Sequence, residues 1–312
     1  MKKLVVLVLA FLFSYCAAQN NTNTMKTLLT PYKFQSHYIN LKDGELSYIK
    51  EGSGKQVLIF LHGLSSNGDA WSNNISELKK NYTCIALDLP GYGRSYKEAD
   101  EFSATYFAKV LDEFVTSLKI EKFVLVGHSM GGQASIKYTS LHPEKVEKLV
   151  LVAPAGIEEF SPIEALTLKN FTTQDFVKNT TDEQIEKNYA VNFYHMPESV
   201  KQLISDRKNI KNADDFSSHA LAIEKSVKGM LDDKVIEDLQ KIKTNTLVLF
   251  AENDMLIPNR FLHPKMTIFE IAEKAKQRLQ NSQVILVSKA GHFLQFEKSD
   301  EVNKHISQFL NP

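Results

Sequence analysis

Val124-Leu125-Val126-Gly127-His128-Ser129-Met130-Gly131-Gly132 is the stretch whose reading decides the fold. A short apolar run drops straight into Gly-x-Ser-x-Gly, and Gln133-Ala134-Ser135-Ile136 continues as the start of a helix. Strand, tight turn and helix in that order make a nucleophile elbow. The turn is too sharp for Cβ atoms at the two glycines, and Ser129 has to accept a strained backbone. That strain lifts the Ser129 hydroxyl above the sheet edge, where a substrate carbonyl can reach it. The pentapeptide alone is a common chance match; the strand before it and the helix after it give it weight.

A serine hydroxyl is a weak nucleophile near neutral pH and needs a general base, itself oriented by an acid. Thr246-Leu247-Val248-Leu249-Phe250 reads as a buried strand and leads into Ala251-Glu252-Asn253-Asp254. Val284-Ile285-Leu286-Val287 is another, followed by Lys289-Ala290-Gly291-His292-Phe293. An acid and a histidine thus each lie just beyond a strand, on the sheet edge that carries Ser129. The order Ser, Asp, His separates this arrangement from other serine hydrolase designs. Glu252 and Asp88 share the placement after a strand, and Asp88 is read as bracing the turn ahead of Pro90.

Two further motifs complete the pattern: Leu61-His62-Gly63-Leu64 after a strand, and Asp88-Leu89-Pro90-Gly91-Tyr92-Gly93-Arg94-Ser95. With these, the chain resembles the α/β-hydrolases, in the branch of capped lipases, esterases and C–C hydrolases. The resemblance implies Ser129 as nucleophile, His292 as base and Asp254 as acid. It also implies an oxyanion hole from the backbone N–H groups of Leu64 and Met130, and structural roles for His62 and His128. A serine nucleophile argues against the haloalkane dehalogenase and epoxide hydrolase branches, and the absence of Trp after it argues against proline iminopeptidases. Carboxylesterases and lipases remain first, C–C bond hydrolases second. The Gly-His-Ser-Met-Gly-Gly elbow, with Met196-Pro197 and Val227-Lys228-Gly229-Met230-Leu231, resembles bacterial lipases and monoacylglycerol-lipase-like enzymes. The implied reaction is hydrolysis of a carboxylic ester, lipid or acylglycerol esters included, through an acyl-enzyme on Ser129. It requires no cofactor and no metal. A ligand-binding protein that kept the fold without the chemistry is the alternative from another class, and the full set of motifs argues against it.

The rest of the chain fits an α/β class, a mainly parallel sheet with helices on both faces. A hairpin is expected around Asp43-Gly44, and Ser103 is placed to cap a helix with Phe107, Leu111 and Phe114 on its apolar face. Residues 31–155 and 242–312 form the expected core. Between 156 and 241 strand-like runs stop and helical spacing takes over, as in Phe216, Ala220, Ile223 and Val227, with a capping box at Thr181-Asp182-Glu183-Gln184. This insert is expected to be a helical cap over Ser129. Phe160, Phe171, Phe176, Phe193, Tyr194 and Met230 are its candidate pocket walls, with Phe293 beside His292; plain packing within the cap competes as the explanation for each.

Lys plus Arg balance Asp plus Glu at 37 each, so no electrostatic footprint for nucleic acid exists. No two of the histidines are spaced with carboxylate or cysteine partners as metal ligands are. Lys2 and Lys3 precede an apolar run over residues 4–13, then small residues at Cys16-Ala17-Ala18. That reads as a signal peptide over 1–18, and the mature chain as periplasmic or secreted. The run is too short for a permanent membrane span. Lipid attachment at Cys16 is the alternative. The Asn- and Thr-rich residues 19–30 are expected to be a disordered leader.

Overall fold

A computed structural model describes residues 22–311. The segment read as a signal peptide, with Cys16, lies outside the described residues.

The chain opens with an antiparallel hairpin, β1 (Ser36–Leu41) and β2 (Gly44–Glu51), turning at Asp43-Gly44 as the sequence predicts. Six more strands follow: β3 (Val57–Leu61), β4 (Thr83–Leu87), β5 (Phe123–His128), β6 (Val146–Val152), β7 (Thr246–Ala251) and β8 (Ser282–Val287). They form one eight-stranded sheet in the order β1-β2-β4-β3-β5-β6-β7-β8. Every pairing from β4 to β8 is parallel. β3 sits between β4 and β5, so the strand order reverses there, and the crevice beyond the carboxyl ends of β3 and β5 is where such sheets bind ligands.

Alternation along each strand builds two cores. Phe123 and Leu125 of β5 join Leu149 and Leu151 of β6 in a cluster with Phe107, Leu111 and Phe114 of the helix Ala104–Ser117. Val124, Val126, Val150 and Val152 face the other way, against Trp71 and Ile75 and against Val302 and Ile306 of the helix Ser299–Leu310. Both faces of the central strands are therefore buried, which is why they read as continuous apolar runs rather than alternating ones. The Ser103 hydroxyl accepts from Tyr106 N–H, capping its helix as expected.

Between β6 and β7 the described chain is helical: Pro162–Phe171, Gln174–Asn179, Asp182–Ala190, Val200–Asn209 and Phe216–Asp232. The Thr181 capping box forms. The helix Val200–Asn209 starts three residues after Pro197.

One expectation is overturned. Residues 22–30 are not a disordered leader: Met25–Leu28 is a short helix, and Met25 and Leu29 are buried against Ile210, Ala213 and Phe216. Two apolar side chains four residues apart are enough because the insert offers them a ready apolar slot. The helix Ile268–Arg278, capped by Thr267 and Glu270, is a further element that the sequence reading did not anticipate.

Candidate active site

β5 ends at His128 and the helix Met130–Leu141 begins one residue beyond Ser129. Ser129 bridges them at φ 52°, ψ −118°, a conformation a side-chain-bearing residue keeps only when its surroundings impose it. Here its N–H donates to Val152 O, and its carbonyl accepts from Gln133 and Ala155. The flanking glycines are obligatory by distance. A Cβ on Gly127 would lie 2.3 Å from Ser135 Oγ, and one on Gly131 would lie 2.5 Å from the carbonyl oxygens of His62 and Leu61.

The loops after β7 and β8 bring Asp254 and His292 to this edge. His292 Nε2 lies 3.0 Å from Ser129 Oγ, and His292 Nδ1 lies 2.8 Å from Asp254 Oδ2. A carboxylate can only accept, so Nδ1 carries the proton and Nε2 turns its lone pair to the hydroxyl. Asp254 is fully buried, and its Oδ1 accepts from Leu256 and Ile257 N–H at 2.8 and 3.0 Å. Glu252 faces solvent. Asp88 accepts from Gly68 N–H, Arg94 N–H and the Tyr32 hydroxyl, bracing its turn. Of the three acids, Asp254 is the one that reaches the histidine.

His62 and His128 are held inside the motifs. His62 Nδ1–H donates to Gly63 O at 2.7 Å and Nε2 accepts from Leu89 N–H at 3.0 Å, while burial pushes its pKa down to about 4. His128 Nε2–H donates to His292 O at 3.0 Å, and burial pushes it well below the ordinary histidine value. Among the described residues neither the Leu64 nor the Met130 N–H donates a hydrogen bond, which leaves both amides available beside the elbow. The Met130 side chain is buried toward Tyr92, so its backbone is what that residue can offer.

Ser129 and His292 open onto a cavity of about 620 Å³ roofed by the helical insert. Phe160, Phe193, Met230 and Phe293 line it, as does Phe176. Tyr194 does not: it is 42 % exposed and packs edge-on against His195. Phe193 turns inward onto Phe293 and Phe296, and Glu297 fixes the backbone N–H groups of Tyr194 and His195, so the next side chain along is directed out. Phe171 also lies outside, edge-on to Phe261.

Four of the wall residues that the sequence reading did not name bear on the site. Met25 and Leu29 close one part of the cavity. Arg207 lines it while only 9 % exposed. Its Nη2 reaches Val177 O at 3.4 Å, its Nη1 has no partner among the described residues, and its guanidinium lies 5.1 Å from the Phe216 ring centre. Burial lowers its pKa from the usual arginine value. The available signal was its spacing, seven residues after Val200 on the buried face of that helix. The fourth, Glu158, accepts from Asn259 N–H on both oxygens, at 2.8 and 3.0 Å, and from His263 Nδ1–H at 2.5 Å.

A family model described as alpha/beta hydrolase fold matches residues 56–299. A 2-hydroxy-6-oxononadienedioate/2-hydroxy-6-oxononatrienedioate hydrolase of Pseudomonas putida is 25 % identical over 291 residues, spanning 89 % of this chain and 97 % of that protein. Among solved structures, a probable hydrolytic enzyme of Pseudomonas aeruginosa PAO1 superposes with a TM-score of 0.84 at 20 % identity, covering 93 % of this chain and 99 % of its own. An esterase of Exiguobacterium antarcticum superposes with a TM-score of 0.75 at 22 % identity, covering 89 % and 100 %.

Proposed function

Because the chain belongs to the alpha/beta hydrolase fold family, we propose that it is a serine hydrolase that cleaves carboxylic esters through an acyl-enzyme on Ser129. The observation that carries this reading is the line from Asp254 through His292 to Ser129, 2.8 and 3.0 Å long, opening onto a cavity. His292 takes the Ser129 proton as Oγ attacks the ester carbonyl. Asp254 holds the imidazole in the required tautomer and stabilises its charged form. The Leu64 and Met130 amides receive the oxyanion, each worth roughly 3–4 kcal/mol in comparable sites. His292 then protonates the leaving alcohol, and water releases the acid by the same route. The aromatic and aliphatic walls suit an apolar acyl or alcohol arm, lipid esters among them. The signal-peptide reading of residues 1–18 assigns the work to the outside of the cytoplasm.

Hydrolysis of p-nitrophenyl esters from acetyl to palmitoyl tests the proposal, with Ser129→Ala as control. Turnover lost in the variant supports it; no Ser129-dependent turnover at any chain length sinks the ester reading.

A second reading is favoured by Arg207. A buried guanidinium with a free Nη1 fits a carboxylate better than a neutral lipid. The Pseudomonas putida relative is named for a dioate, a doubly carboxylated substrate. In this reading the same serine cleaves a C–C bond beside a ketone in a substrate whose acid end meets Arg207. Ser129-dependent turnover of such a keto-acid, weakened in Arg207→Leu and paired with slow ester hydrolysis, would select it.

A further inference from the structure

Residues 22–30 touch both halves of the molecule. On the insert side, Asn23 N–H donates to Asp214 Oδ2 at 2.9 Å, Met25 N–H to Asp215 Oδ1 at 2.8 Å, and the Thr30 hydroxyl to Asp206 Oδ1 at 2.7 Å. On the core side, Arg94 Nη2 donates to the carbonyls of Leu29 and Thr30 at 3.2 and 3.0 Å, and Lys26 pairs with Glu45 at 2.7 Å. A segment pinned from both directions is a strap with a fixed path. Two of its side chains, Met25 and Leu29, turn inward and line the cavity that Ser129 opens onto. Met25 is almost wholly enclosed, with Ile210, Ala213 and Phe216 behind it. Phe216 is also the ring over which the Arg207 guanidinium lies, so strap and arginine bound the same part of the pocket.

We infer that this strap is the end wall of the substrate pocket, and that Met25 and Leu29 set how long an apolar arm the site accepts. The inference rests on the reading of Ser129 as the nucleophile toward an ester with an apolar arm. Shortening Met25 to Ala would remove side-chain volume from a wall whose backbone stays tied, so the space passes to the substrate arm. A bulkier side chain in the same place takes space away. If the two residues served only to anchor the strap, substitution would change stability and leave length preference alone.

The test uses p-nitrophenyl alkylphosphonates from butyl to hexadecyl, reading the rate constant of inactivation and the mass of the Ser129 adduct on the full chain. A phosphonate reports on the serine and the pocket without assuming the natural substrate. In Met25→Ala and in Leu29→Ala the preferred length should move up, with the long-to-short ratio of rate constants rising about ten-fold, the lower end of what one methylene decides in an apolar pocket. Met25→Phe should move the preference down. Thermal melting identifies any variant that fails to fold, and the enlarged and reduced side chains make opposite predictions, so one folded variant of either kind decides. An unchanged length profile with Ser129 still labelled overturns the inference. No labelling of the parent protein at any length would overturn the Ser129 reading, and this inference with it.

Discussion

Two histidine–carboxylate pairs border the same cavity, and they differ instructively. Asp254 and His292 lie 2.8 Å apart, and the far nitrogen of His292 meets the Ser129 hydroxyl. Glu158 and His263 lie 2.5 Å apart, and the far nitrogen of His263 meets a second carboxylate, Glu164, at 3.3 Å. The first line ends on a group that can give up a proton and attack; the second ends on one that can only accept. Proximity of acid and imidazole is thus no mark of catalysis by itself; the third partner decides. The second pair has a mechanical task instead. Glu158 clasps Asn259 N–H, five residues beyond Asp254, and so ties the start of the helical insert to the loop that presents the acid.

Breaking the first line should have the largest effect. Ser129→Ala or His292→Ala should lower kcat by about 10⁶, as in other serine hydrolases where either loss removes the whole unit. Steady-state assays with active-site titration would read this, and a loss below a hundred-fold would count against the line as the engine. Asp254→Asn keeps shape but favours the wrong tautomer, so a drop of about 10⁴ is expected. His263→Gln breaks the second pair and should leave kcat/KM within about ten-fold, while the lost charge-assisted hydrogen bond costs about 1.5–3 kcal/mol, visible as a lower Tm. A loss in kcat/KM comparable to that of Asp254→Asn would erase the distinction between the pairs.

The smallest expected effect concerns pH. His62 and His219 are buried with pKa values pushed down to about 4 and about 3, and burial pushes His128 well below its ordinary value too. These groups are neutral in the folded chain and bind protons more readily once unfolded. Their contribution is complete above pH 6.5 and is lost as pH falls toward their folded values. Glu158 works in the opposite sense: burial raises its pKa, so its contribution is lost as pH rises through the raised value. Melting curves should show stability falling on acidification below 6.5. His219→Gln should flatten that limb by about 1.4 kcal/mol per pH unit, one proton's worth.

The edge that carries Ser129 was legible because the chemistry proposed for it demands particular residues at particular places. Gly127 and Gly131 cannot be replaced where backbone atoms lie within 2.5 Å of a Cβ, so they announce the turn in the sequence. The central strands were legible because both faces are buried. The pocket walls were less so. Phe193 and Tyr194 are neighbours of similar character, and only the tertiary hold of Glu297 sends one in and the other out. Arg207 occupies a buried helical position where an apolar residue is the rule, so a hydrophobicity reading passes over it. Met25, Leu28 and Leu29 are three apolar residues among Asn and Thr, too few to form a pattern until Phe216, far along the chain, gives them a surface.

The strap also orders events in time. Asn23 and Asp214 are 191 positions apart, so the first described residues leave the ribosome about ten to forty seconds before their partners exist, at ordinary rates of synthesis. Contacts of such long range close late in folding, because the loop entropy is lost before any reward arrives. The backbone bonds that hold Ser129, to Val152, Gln133 and Ala155, span at most 26 positions and need a far shorter wait. On the proposed reading the enzyme therefore shapes its nucleophile early and the end of its pocket last: a chain with a folded sheet and an undocked strap would hold Ser129 in place at the bottom of an open-ended trough.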